Sequence, residues 1–182
     1  MKKLIAMLLA LVMLTAVFAG CTGKKDENEG GAAAAKVYEG TMEELVNAII
    51  EKAPVQFMGG VIPVDLTDTS EDGMWAIKSF TGLQNGESLT DIAVYESMMG
   101  SQAFSLVAVR VAEGADAKAV AQEMTDNIDT RKWICVGADE KIVAGYGDTV
   151  MLIMLDSQLG LAAQDYVDAF KGICGADLDF TI

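Results

Sequence analysis

Six consecutive residues, Val150 to Leu155, carry no charged or hydroxyl side chain. A half-buried strand alternates apolar and polar positions. An unbroken apolar run this short, bounded by a turn signal, predicts a central strand covered on both faces. Tyr146-Gly147-Asp148 supplies the turn before it, and Lys141 to Gly145 supplies the partner strand, which makes a β-hairpin. Upstream, Asp91 to Met99 and Ala103 to Ala112 read as a second strand pair joined through Gly100-Ser101-Gln102.

Helices follow each pair. Asp116 can cap a helix running to about Lys132, with Val120, Ala121, Met124 and Ile128 as its buried stripe. Ser157 can cap another over Gln158 to Lys171, with Leu159, Ala162, Ala163, Tyr166, Ala169 and Phe170 inward and Gly172 at its end. Near the start, Thr41-Met42-Glu43-Glu44 fits a capping box, in which Thr and Glu satisfy each other's backbone N–H groups. That helix must stop before Pro54. Val55 to Leu66 reads as extended and irregularly paired, broken by Gly59-Gly60 and Pro63. Residues 71–81 predict a short helix with Met74, Ile77 and Phe80 on one face. The whole predicts an α+β fold: an antiparallel sheet in ββαββα order, helices packed on one face, plus an N-terminal helix.

The N-terminus carries a different signal. Met1-Lys2-Lys3 is positive, and Leu4 to Ala19 is apolar apart from Thr15. The run falls short of the ~20 residues of a membrane span and fits a secretory signal instead. It ends in Phe18-Ala19-Gly20-Cys21, which resembles the lipobox of bacterial lipoproteins, although Phe18 departs from the usual Leu. The resemblance implies cleavage between Gly20 and Cys21 and a diacylglycerol on the Cys21 sulfur. The expected organisation is a signal peptide over 1–20, a polar glycine-rich tether over 21–37, and one domain over 38–182. The expected location is the extracytoplasmic face of the cell membrane, held there by lipid. Two acyl chains, at about 0.8 kcal/mol per buried CH₂, suffice for stable anchoring.

The Lys-rich lipobox leader and Thr41-Met42-Glu43-Glu44-Leu45 after the tether, with Tyr95-Glu96-Ser97-Met98-Met99, Asp126 to Arg131 and Lys141 to Leu152, resemble a family of Gram-positive lipoproteins classed as a domain of unknown function. The resemblance spans roughly residues 40–172. It implies a location and a domain shape, and it brings no catalytic residue.

Composition narrows the chemistry. A formal net charge of −14 argues against a nucleic-acid partner, because phosphates are bound by Lys and Arg. There is no histidine, which removes Ser-His-Asp and Cys-His catalysis and His-based zinc sites. No cofactor, catalytic residue or metal site is singled out. Cys135 and Cys174 are either a disulfide or two separate thiols, and a domain of this size does not need a staple. Asp68, Ser70, Asp72 and Gly73 imitate the start of a calcium loop, but Ser79 stands where the bidentate Glu belongs, so a turn and helix cap is preferred. Met98, Met99, Met124, Met151 and Met154 read as core filling, and Asp126, Asp129, Arg131 and Lys132 as a solvated face. Trp75 and Trp133, near helix ends, are the candidate binding surface, with packing against the sheet as the alternative. The leading expectation is a non-enzymatic module for a peptide, an envelope protein or a small ligand. The competing one is a carboxylate-dependent hydrolase of cell-wall material.

Lipidation predicts that Cys21→Ser moves the protein from the membrane pellet to the soluble fraction in cell fractionation. Undiminished membrane retention of that variant contradicts it.

Overall fold

The computed structural model describes residues 37–182; the leader and most of the tether, including Gly20 and Cys21, lie outside the described residues. The element order is α1 (Met42–Lys52), β1 (Gly59–Ile62), α2 (Glu71–Thr81), β2 (Leu89–Ser97), β3 (Phe104–Val111), α3 (Ala117–Asn127), β4 (Glu140–Tyr146), β5 (Thr149–Leu155), α4 (Ala163–Cys174) and β6 (Phe180–Thr181). The strands form one six-stranded sheet in the order β1-β2-β3-β5-β4-β6, antiparallel at every pairing. The class is α+β.

Strand β5 lies between β3 and β4, hydrogen-bonded to both, and all seven of its residues are buried. Alternate side chains point to opposite faces. Met151, Ile153 and Leu155 join α1 and α4 residues in one core, including Met42, Leu45, Ile49, Tyr166 and Phe170. Val150, Leu152 and Met154 join a second core with Ile77 of α2 and Val120, Ala121 and Met124 of α3. Helices therefore cover both faces, which corrects the expectation of helices on one face. The physical reason is the apolar run itself: each face of β5 presents large aliphatic side chains, and each needs its own cover.

Several boundaries also move. Helix α3 ends at Asn127, not near Lys132, because Ile128 turns to extended backbone (φ −66°, ψ 132°). Gly82 (φ +81°) closes α2 in the left-handed region, and a Cβ there would lie 2.7 Å from the Ile128 nitrogen. The two helix ends thus meet backbone to backbone. Ser157 does not cap the last helix. Asp156 caps a short 3-10 turn over Ser157–Leu159, which Gly160 ends, and α4 begins only at Ala163. Its cap comes from another element: Glu140 of β4 accepts from the Ala163 N–H at 2.7 Å. Gly175, not Gly172, terminates α4 in the left-handed conformation. The capping box of α1 is present in both directions.

Strand β1 runs through Gly59-Gly60 rather than being interrupted there. A Cβ on Gly59 would fall 2.5 Å from the Tyr95 ring, so the missing side chain lets that ring lie across the strand. Met74 is exposed, leaving Ile77 as the buried residue of the stripe expected along α2, with Phe80 partly so. Met124, Met151 and Met154 fill the cores, whereas Met98 and Met99 are exposed, because β2 stops at Ser97 and its Oγ accepts from the Met99 N–H. Cys135 and Cys174 are separate free thiols, one exposed and one half-buried, and burial pushes the Cys174 thiol up to about 11.

Burial on both faces predicts that Met151→Ala and Leu152→Ala, adjacent residues on opposite faces, each cost about 2–5 kcal/mol. Denaturant melts of both variants check this. A near-neutral effect for either one contradicts a double-sided core.

Candidate functional site

Between α2 and the segment leaving α3 lies a cavity of about 340 Å³, lined by Trp75, Lys78, Ser79, Asn127, Asp129 and Lys132. Helical spacing places Trp75, Lys78 and Ser79 on one face of α2. Because α3 stops at Asn127, the following backbone turns towards the sheet and carries Asp129 and Lys132 to the same space.

Lys132 forms the floor. Its side chain is 9% exposed, and Nζ lies 2.5 Å from Oε1 of Glu96, whose side chain is 13% exposed. That contact is an ion pair at close range, although Oε1 takes no well-angled hydrogen bond. Nζ also donates to the Ser79 carbonyl at 3.2 Å and to Ser105 Oγ at 3.3 Å. It lies 4.8 Å from the centre of the Phe80 ring and 5.3 Å from that of Trp133. A cation over aromatic faces gains electrostatic attraction from the ring quadrupoles. Burial nevertheless holds the Lys132 pKa below its ordinary 10.5, against the opposing pull of Glu96. The ammonium's partners are all internal, so Lys132 supports the site rather than offering it a free charge. The expectation of a solvated face at residues 126–132 is corrected for Lys132; Asp126, Asp129 and Arg131 are exposed.

The two tryptophans separate. Trp75 is 68% exposed and stands on the cavity rim. Trp133 is partly buried and packs against the second core, with its Nε1 buried and unpartnered. Around Trp75, the Lys78 amine and the Asn127 amide make no side-chain hydrogen bond among the described residues. Asp129 engages only Oδ1, which accepts from the Arg131 N–H at 2.8 Å. A free donor, a free amide and a free carboxylate oxygen thus surround one exposed indole.

Other features are structural. Asp68 accepts from the Ser70 N–H, Ser70 Oγ caps α2 through the Gly73 N–H, and Asp65 accepts from Thr67. These bonds draw the Asp65 and Asp68 carboxyls below their ordinary range. They form the turn and cap that open α2, and no group of metal-ligating side chains occurs among the described residues. A second cavity, of about 490 Å³, lies between the end of α1 and α4. Its acids, Asp165 and Asp168, are exposed neighbours on one helix and do not flank a cleft, as glycoside hydrolysis requires.

Lys78, Ser79 and Asn127 in the lining, and Glu96 beneath it, were site residues that sequence reasoning missed. For Glu96 a signal existed: it alternates with Tyr95 and shares the face of Val94, an inward position, and Ser105 opposite it interrupts the apolar stretch Phe104 to Val109. Comparison with protein-family models, with curated proteins and with solved structures finds no match for this chain.

Removing one member of a buried pair strands the other charge. Glu96→Gln and Lys132→Met are each expected to cost about 3–5 kcal/mol, while the Lys132→Met/Glu96→Leu double variant loses less than their sum. Since the folded Lys132 pKa lies below its unfolded value, the unfolded chain binds more protons between the two. Stability relative to Lys132→Met therefore rises as pH climbs towards 10.5. Denaturant titrations read both effects; additive losses contradict the buried pair, and a falling trend with pH contradicts the dominance of desolvation over the Glu96 attraction at Lys132.

Proposed function

We propose that the protein is a lipid-anchored extracytoplasmic lipoprotein of the family it resembles, and that its folded domain is a non-enzymatic binding module acting through the cavity at Trp75. The anchor reading rests on Phe18-Ala19-Gly20-Cys21 behind a charged apolar leader. The binding reading rests chiefly on one observation: a large indole left 68% exposed on the rim of a cavity whose floor is fixed by a buried ion pair. An exposed aromatic beside a few oriented polar groups is how small-ligand sites combine contact area with specificity. Trp75 contributes to neither core.

The hydrolase reading finds less support. Of the six cavity residues only Asp129 is a carboxylate, and the Glu96 carboxylate beneath it is paired with Lys132. Carboxylate-dependent hydrolysis needs two acids in different environments on either side of the scissile bond.

Immobilised full-length protein should retain soluble cell-envelope material and release it chemically unchanged, and Trp75→Ala should retain much less. Equal retention by the variant, or material released in cleaved form, contradicts the proposal.

A further inference from the structure

The chemistry around Trp75 narrows the ligand class, on the premise that this cavity is the binding site. The platform is single. Trp75 is exposed, but Trp133 and Phe80 lie beneath the cavity with Lys132 against their faces, so among the described residues no second aromatic lines the mouth beside Trp75. Proline-rich peptides are gripped in grooves lined by several aromatics. One indole face beside polar groups suits instead the C–H face of one saturated ring.

The charges also cancel. Lys78 and Lys132 are balanced by Asp129 and Glu96, within a domain that is strongly acidic overall. A cavity neutral in net charge favours neither an anion nor a cation. Its free groups are of both hydrogen-bonding types: the Lys78 amine donates, the second Asp129 oxygen accepts, and the Asn127 amide does both. Adjacent hydroxyl groups, each donor and acceptor, answer that set.

Access is open from outside. Arg110 on β3 donates from Nη2 to the carbonyls of Tyr38 and Gly40, both at 2.7 Å, and so fixes where the chain enters the domain. Ser105, under the cavity floor, is five residues earlier on the same strand. At about 3.3 Å per residue the two points are roughly 17 Å apart. An odd separation also puts them on opposite faces of the sheet. The chain therefore enters at the other end and the other face from the cavity.

The geometry points to a sugar as the ligand: Trp75 stacks on the C–H face of one ring of an uncharged oligosaccharide, while Lys78, Asn127 and Asp129 hydrogen-bond its hydroxyl groups. The size matches a short stretch of glycan rather than a buried metabolite, since the mouth is open and the volume is near the lower limit of small-ligand pockets.

The test is binding of the full-length protein to a glycan array carrying uncharged oligosaccharides, N-acetylated ones included, with a random-peptide array run in parallel. Trp75→Ala, Trp75→Phe and Asn127→Ala are compared with wild type after thermal melts confirm folding. The expected result is glycan binding that weakens at least about tenfold in Trp75→Ala and Asn127→Ala and is partly kept by Trp75→Phe. Glycan binding indifferent to Trp75 overturns the inference. Trp75-dependent binding to peptides alone overturns the sugar assignment but leaves the binding-module reading standing. Binding to neither array overturns the sugar assignment, and retention of envelope material that does not depend on Trp75 overturns the binding-module reading.

Discussion

The burial of β5 on both faces is the constraint from which the rest of the structure follows. A strand with six consecutive apolar side chains, Val150 to Leu155, cannot border water on either side. Burying each of its large aliphatic side chains is worth about 1.5–3 kcal/mol, and leaving one face uncovered forfeits that gain along its whole length. Helices α1 and α4 cover one face, and α2 and α3 cover the other. With β3 and β4 hydrogen-bonded on its two sides, β5 has no free edge. The exposure to edge pairing is left to the short outer strands β1 and β6.

The candidate site is a product of that second layer. Helices α2 and α3 meet where Gly82 and Ile128 come into backbone contact, and the chain leaving α3 must then cross the end of the sheet. Lys132 reaches the sheet there and finds Glu96 of β2 and Ser105 of β3, both facing inward. A buried ion pair is weak evidence for stability, because desolvation offsets much of the attraction. Its value here is positional. With three internal partners and two aromatic rings around it, the ammonium fixes the relative placement of α2, the post-α3 segment and two strands, and so shapes the space beneath Trp75.

Local signals in the sequence were legible, and long-range ones were not. The capping box at Thr41, the hairpin around Gly147-Asp148 and the extent of α2 are set by residues a few positions apart, and each stands as read. The continuous apolar run at 150–155 also demanded two covered faces, but the succession of hairpins and helices pointed to a single helical layer, and that inference was the one that failed. The start of α4 was misplaced because its cap comes from Glu140, 23 residues away, while Asp156 and Ser157 belong to a separate turn. Lys132 read as a solvated residue because its partners, Glu96 and Ser79, are 36 and 53 positions distant. Trp75 was visible as an aromatic near a helix end, but only the tertiary structure distinguishes its exposed indole from the packed one of Trp133.

Amide hydrogen exchange under native conditions addresses the double-sided burial of β5 most directly. The amides of Met151 to Leu155 are predicted to exchange only through global unfolding, with the same apparent free energy and denaturant dependence as the whole domain, while those of β1 exchange sooner through local opening. Exchange of the β5 amides through local fluctuations, at rates comparable to β1, would contradict a strand enclosed between two helical layers and with it the placement of the Trp75 cavity.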